Sequence, residues 1–339
     1  MCVAIRHPSC RNCDRLPPYR WDRTVILPPR LQRTPLRSCS CIAKKTGAYA
    51  VPNSSTLTIQ LQRCALRRVP WFCCLVMVVL LCGCQSTPKS TYSTDLPSQH
   101  SVNSKHFVIH SNVKLDADNV LVQELEELRE RLFSTLRLPE QRDPVNVYLF
   151  SDEASYRYYM NTTWQNLPPR RAYFVGTSRE LAVYSFLSPQ VQEDLRHEFS
   201  HGLLHASLKT VPLWLDEGLA EYFEVDPNIP GAVHAAHVLE WETAKQENWS
   251  PNLFRLEMLT DFRDMTQRDY AEAWGWVHYM LQTSDETTEV LLQYLASLET
   301  SNTPPRMLTS LEAAVPNYFN DVQAHVVLMQ NSRTLAKKD

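Results

Sequence analysis

His197-Glu198-Phe199-Ser200-His201, followed downstream by Pro212-Leu213-Trp214-Leu215-Asp216-Glu217-Gly218-Leu219-Ala220-Glu221-Tyr222-Phe223, is the stretch that decides how this chain reads. Two histidines at i and i+4 share one helical face with Cβ atoms about 5–6 Å apart, so both reach a single Zn²⁺. Glu198, next to the first of them, then lies where a general base for the attacking water is needed. Val191 and Leu195 before the motif and Leu204 after it suit a partly buried helix. Two histidines leave a catalytic zinc incomplete, because such a site takes three protein ligands and keeps one position open. A third histidine six residues beyond His201 would supply it, but Ser207 stands there. His205 continues the stripe one turn on, with its Cα about 12 Å from that of His197 by helix rise, and reads as a packing or outer contact.

The downstream stretch makes the reading specific. A Trp-Leu-x-Glu-Gly-x-Ala-Glu-Tyr segment on the helix after the zinc helix resembles the gluzincin metallopeptidases, most closely the peptidase MA-like group. Thermolysin and aminopeptidase N-type enzymes are more distant in pattern. The resemblance covers roughly residues 105–300. It implies that Glu217 is the third zinc ligand and that Glu221, one turn on, orients a ligating histidine through its other ring nitrogen. Fifteen residues separate His201 from Glu217, fewer than in the aminopeptidases, so the connecting loop differs from theirs. Tyr270, in Tyr270-Ala271-Glu272-Ala273-Trp274, sits where gluzincins place a tyrosine that donates to the tetrahedral intermediate. The Lys-Gly that follows it in aminopeptidases is absent, and so is their Gly-rich exopeptidase segment, which favours endopeptidase action. His234, His237 and His278 are further candidates for transition-state contacts, with ordinary surface or core packing as the alternative for each. The implied fold is α+β: a small N-terminal mixed sheet with helices, then a mostly helical half carrying the zinc site.

The surrounding pattern agrees with that class. Residues 107–110 and Val145-Asn146-Val147-Tyr148-Leu149-Phe150 read as strands. Between them, over 116–138, Val120, Leu121, Leu125, Leu128, Leu132 and Leu136 recur at helical spacing. Ser151-Asp152-Glu153 opens a capped helix. Residues 172–175 and 181–186 flank Gly176-Thr177-Ser178-Arg179 as a hairpin, and after Ser188-Pro189 the chain is helical almost to its end. Residues 301–339 are expected to add C-terminal helices and a tail. The strand at 181–186, directly before the zinc helix, is expected to be the sheet edge that receives an extended peptide substrate.

Charge and cysteine divide the chain at one point. Residues 1–83 hold 13 Lys and Arg against 2 Asp and Glu, whereas residues 84–339 hold 21 against 35. The acidic body excludes nonspecific nucleic-acid binding as its business. All 10 cysteines lie at or before Cys84, so the body has neither an internal disulfide nor a thiolate ligand. The 7 glycines, where an average chain of this length carries about 24, argue against Gly-rich phosphate loops.

Trp71-Phe72-Cys73-Cys74-Leu75-Val76-Met77-Val78-Val79-Leu80-Leu81 is too short to span a bilayer comfortably, and Arg63, Arg67 and Arg68 precede it. With Leu81-Cys82-Gly83-Cys84 it resembles a bacterial lipoprotein signal, which implies cleavage before Cys84 and lipidation of that residue. Residues 66–83 are then the signal, and 84–104, rich in Ser, Thr and Pro, a flexible tether. Residues 1–65 are expected to be absent from the mature protein, as a mis-assigned start or a basic extension, and 105–300 to form the catalytic domain. The expectation is a zinc peptidase acting on peptides or proteins, lipid-anchored to a bacterial membrane and facing the periplasm or exterior. The alternative is a non-enzymatic envelope lipoprotein that uses a gluzincin scaffold to bind a peptide or protein partner.

Overall fold

A mixed sheet comes first in the chain and carries the helices that follow. The computed structural model describes residues 2–4, 95–227, 233–301, 303 and 305–336. The apolar run 71–81, Cys84 and the first part of the expected tether lie outside them. The strands are β1 (Cys2–Ala4), β2 (His100–Asn103), β3 (Phe107–Ser111), β4 (Val145–Phe150), β5 (Tyr173–Gly176) and β6 (Leu181–Phe186), in the order β1-β5-β6-β4-β3-β2. β3, β4 and β6 run parallel, while β2 and β5 are antiparallel to β3 and β6. The parallel steps need crossovers, which α1 (Val120–Leu136) and α2 (Glu153–Thr163) supply. Asn119 and Asp152 start those helices by accepting backbone N–H groups of Leu121 and Ser155. The β5–β6 hairpin closes through Thr177 N–H donating to the Glu180 carbonyl at 2.9 Å.

Two expectations need correction. β6 is not an edge: β4 pairs with it in parallel and β5 antiparallel, and all six residues are buried. An all-buried strand belongs inside a sheet covered on both faces. The strand flanking the cleft is β5, along which β1 pairs in parallel with Cys2 opposite Phe174. The second correction concerns the tether, because β2 falls within the residues read as flexible. Its composition is polar and its ladder to β3 is backbone; of its side chains Val102 packs on the core.

The helical half is α3 (Val191–Ser207), α4 (Leu213–Glu224), α5 (Ala235–Gln246), α6 (Leu253–Glu257), α7 (Gln267–Gln282), α8 (Asp285–Thr300), α9 (Met307–Ala314) and α10 (Tyr318–Ala336), with a short 3₁₀ turn at Phe262–Asp264. A small mixed sheet followed by a mostly helical region is the expected α+β architecture. α3 lies directly on the sheet. Leu195, Phe199 and Leu203 are buried there, and Phe199 meets Phe107 edge-on at 5.3 Å. A Cβ on Gly202 would stand 2.8 Å from a Val145 methyl, so the glycine lets the helix press against β4 one residue after His201. α4 crosses α7 equally closely, with Gly218 facing the Ala273 carbonyl, 2.6 Å from where a Cβ would be. That crossing sets the depth of Glu217, the preceding residue. Among the described residues no helix is long and apolar enough to cross a membrane.

Candidate metal centre

α3 and α4 bring His197, His201 and Glu217 together as the spacing predicts. The Nε2 atoms of the two histidines are 3.3 Å apart, and Glu217 Oε2 lies 3.8 Å from the first and 3.7 Å from the second. A tetrahedral Zn²⁺ with bonds of about 2.0–2.1 Å separates its ligands by about 3.3 Å, so the triangle has the size of one coordination face. Glu217 is 0 % exposed, and neither of its carboxylate oxygens has a hydrogen-bond partner. A buried carboxylate without donors is costly unless a cation meets it. The orphaned oxygens and the facing imidazole lone pairs therefore fit a bound metal ion, and the three residues form a group that can hold one.

The rear nitrogens of both histidines face carboxylates. His197 Nδ1 donates to Glu224 Oε2 at 2.7 Å. His201 Nδ1 stands 2.9 Å from Asp216 Oδ1, off the line of an ideal hydrogen bond. With the protons on Nδ1, both Nε2 lone pairs turn to the shared point. Glu221 does not have the expected role: its Oε2 meets His237 Nε2 at 2.8 Å instead. The reason is the helical phase of α4. Glu224, two turns beyond Glu217, reaches the solvent-side histidine, while Glu221 turns toward α5. Acidic residues at 217, 221 and 224 on a helix otherwise buried through Trp214, Leu215, Leu219 and Phe223 were the signal for Glu224. Asp216 has no periodic signal beyond adjacency to Glu217. The end of α4 is fixed by two arginines, Arg131 donating to the Phe223 carbonyl and Arg196 to that of Glu224, which satisfies the terminal carbonyls of the helix.

Electrostatics follow the same plan. Burial opposes charge on His197, yet the hydrogen bond and charge of Glu224, with Glu221 behind it, lift its pKa to about 9. Burial would raise Asp216, but the imidazoles of His201 and His205 outweigh it and hold the carboxyl far below its usual range. The site is thus rich in anionic acceptors that a cation balances.

Glu198 is 5 % exposed, and its Oε2 accepts the Phe174 backbone N–H at 2.6 Å. β5 therefore holds the carboxylate beside the metal triangle. A cavity of about 360 Å³ opens there, lined by Arg170, Asp194, His197, Glu198, Glu224 and Tyr270 among others. Tyr270 faces it from the first turn of α7. Burial pushes its phenol up to about 12, with Glu217 adding to the rise and Arg170 opposing it, so it is a proton donor at neutral pH. Arg170, just before β5, had no sequence signal.

The remaining histidines are not cleft groups. His234 Nε2 binds Glu224 Oε1 at 2.8 Å, and His237 binds Glu221, both behind the metal triangle. His278 packs at 2.8 Å on His325 of α10. His205, read as an outer contact, reaches Asp216 Oδ2 at 3.0 Å. Glu221, His234 and His237 form a second cluster of ligand-type side chains. Its His237–Glu221 contact at 2.8 Å is a hydrogen-bond length, shorter than the edges of the first triangle.

Residues 194–305 match a family described as a protein of unknown function, DUF1570. The match begins within α3 and takes in His197, Glu198, His201, Glu217, Glu224 and Tyr270, leaving the sheet outside it. No curated protein matches the chain.

Proposed function

We propose that the protein is a zinc-dependent peptidase. The observation that carries this reading is the fully buried Glu217 carboxylate, without donors, completing a triangle of tetrahedral size with two histidines whose rear nitrogens each face a carboxylate. His197, His201 and Glu217 would hold the ion. A bound Zn²⁺ supplies Lewis acidity, polarising a carbonyl and bringing the pKa of a water towards 7. Glu198, fixed by the Phe174 N–H, takes the proton of the attacking water and hands it to the leaving amine. Tyr270, a phenol at neutral pH, donates to the oxygen on which negative charge develops.

The substrate is read as an extended peptide, cleaved within its length and added as a strand along β5. In the proposed mature protein, which lacks Cys2–Ala4, the side of β5 that pairs with them is left for an extended segment beside Glu198, and that pairing supports the reading. We further propose that Cys84 carries the lipid anchor and that the enzyme works at the surface of the bacterial envelope, with residues 85–95 as the spacer. The Leu81-Cys82-Gly83-Cys84 sequence and its apolar, basic-flanked approach support that placement.

Turnover of a fluorogenic peptide library by the zinc-loaded protein, with Glu198→Gln as control, tests the activity. Cleavage by the wild type and a loss of at least about 100-fold in Glu198→Gln, at equal zinc content, is expected. Equal turnover by both proteins contradicts the role of Glu198, and no turnover by either contradicts the peptidase reading.

A further inference from the structure

Each candidate metal-binding histidine is backed by a carboxylate, and each of those carboxylates is gripped on its other oxygen by a second histidine. His201 meets Asp216 Oδ1 at 2.9 Å while His205 Nε2 meets Oδ2 at 3.0 Å. His197 meets Glu224 Oε2 at 2.7 Å while His234 Nε2 meets Oε1 at 2.8 Å. The outer histidines come from different places. His205 extends the stripe of α3, and His234 is the N-cap of α5.

The hydrogen bonds of His234 fix its tautomer. Its Nδ1 accepts the backbone N–H of His237 at 3.3 Å, so the proton sits on Nε2 and is donated to Glu224. Glu224 then accepts from both sides, which leaves the Nδ1 proton on His197 and the Nε2 lone pair facing the metal triangle. A carboxylate held by one imidazole rotates about its last torsion, which is broad. A donor on each oxygen fixes both its plane and its distance. Asp216, only 2 % exposed, also needs more than one partner to remain charged in the interior.

We propose that His205 and His234 are positioning residues for the metal centre, acting through Asp216 and Glu224 on His201 and His197. They touch neither metal nor substrate. The inference rests on the metal assignment above and not on peptidase activity. Their side chains are 28 % and 21 % exposed, so replacement leaves the deep core intact.

The test is Zn²⁺ affinity, measured by competition with a chromophoric chelator, for the full chain and for His205→Ala, His234→Ala, His205→Gln and His234→Gln. Carboxylate partners of metal-binding histidines are worth about 10–100-fold in affinity, so one step further out each alanine is expected to weaken binding about 10-fold. Each glutamine keeps an N–H donor of similar reach and is expected to recover most of the loss, which a purely space-filling role would not produce. Thermal unfolding in excess chelator identifies any variant that fails to fold. Should an alanine variant misfold, His205→Leu or His234→Leu at that position, which fills the space without a donor, replaces it: weaker zinc binding by the leucine protein than by the glutamine protein supports the proposal, and equal affinities overturn it. Alanine variants that bind zinc like the wild type overturn the positioning role and leave the metal site standing. A wild-type protein that binds no zinc overturns both.

Discussion

At the scale of single residues, Glu217 carries the largest consequence. Its carboxylate is wholly buried and has no donor. Glu217→Ala is expected to abolish stoichiometric zinc binding, read as metal content after gel filtration. Glu217→Gln removes the charge but keeps the volume and should also bind zinc poorly. A Glu217→Ala protein with one zinc per chain would remove the residue from the site. Gly218 beside it is equally constrained, since a methyl group there would approach the Ala273 carbonyl at 2.6 Å. Gly218→Ala should force α4 and α7 apart, costing about 1–3 kcal/mol in chemical denaturation. An unchanged midpoint would show that the crossing tolerates the extra carbon. The three candidate ligands and Glu198 were legible because their spacing is fixed by one helix and one recognisable segment. Asp216 and Arg170 were not, and Glu224, though part of the acidic series 217, 221 and 224, could not be told from Glu221, because contacts between elements depend on their relative placement, which no local spacing encodes.

At the scale of elements, the helices were the most legible, since each carries its own 3.6-residue period and several carry a capping residue such as Asp152. Strand order was less so. β5 and β6 are both fully buried, so neither shows the alternation that marks an exposed face, and the place of β5 between β1 and β6 follows from pairing alone. β2 escaped because a four-residue polar strand is stabilised by its ladder rather than by side chains.

The contact between α7 and α10 gives a pH prediction at this scale. Burial, with the charge of His278 adding to it, depresses the pKa of His325 from 6.5 to about 4. Its ring lies among His278, Thr283 and Tyr279. A histidine with a lowered folded pKa binds protons more weakly in the native state than in the unfolded one. Its contribution is therefore complete above about pH 6.5 and is lost as pH falls toward 4. Melting temperatures recorded between pH 7 and pH 4 should fall less steeply for His325→Gln than for the wild type. Parallel curves would show that the pair does not sense acid.

At the scale of the whole molecule, the basic, cysteine-bearing first quarter and the acidic, cysteine-free remainder are different materials, and the described fold from 95 onward belongs to the second. A lipid-anchored origin predicts that membrane-extracted protein begins at Cys84 with a mass increased by two or three acyl chains. Intact-mass spectrometry reads this directly, and a mature protein that retains residues 1–60 contradicts it.

The central claim is that His197, His201 and Glu217 hold one zinc ion next to Glu198. Anomalous diffraction at the zinc edge from crystals of the zinc-loaded protein tests it most directly. The account predicts one peak, about 2.0–2.1 Å from Nε2 of each histidine and from a Glu217 oxygen. A peak among Glu221, His234 and His237 instead, or no peak at the triangle, would contradict it.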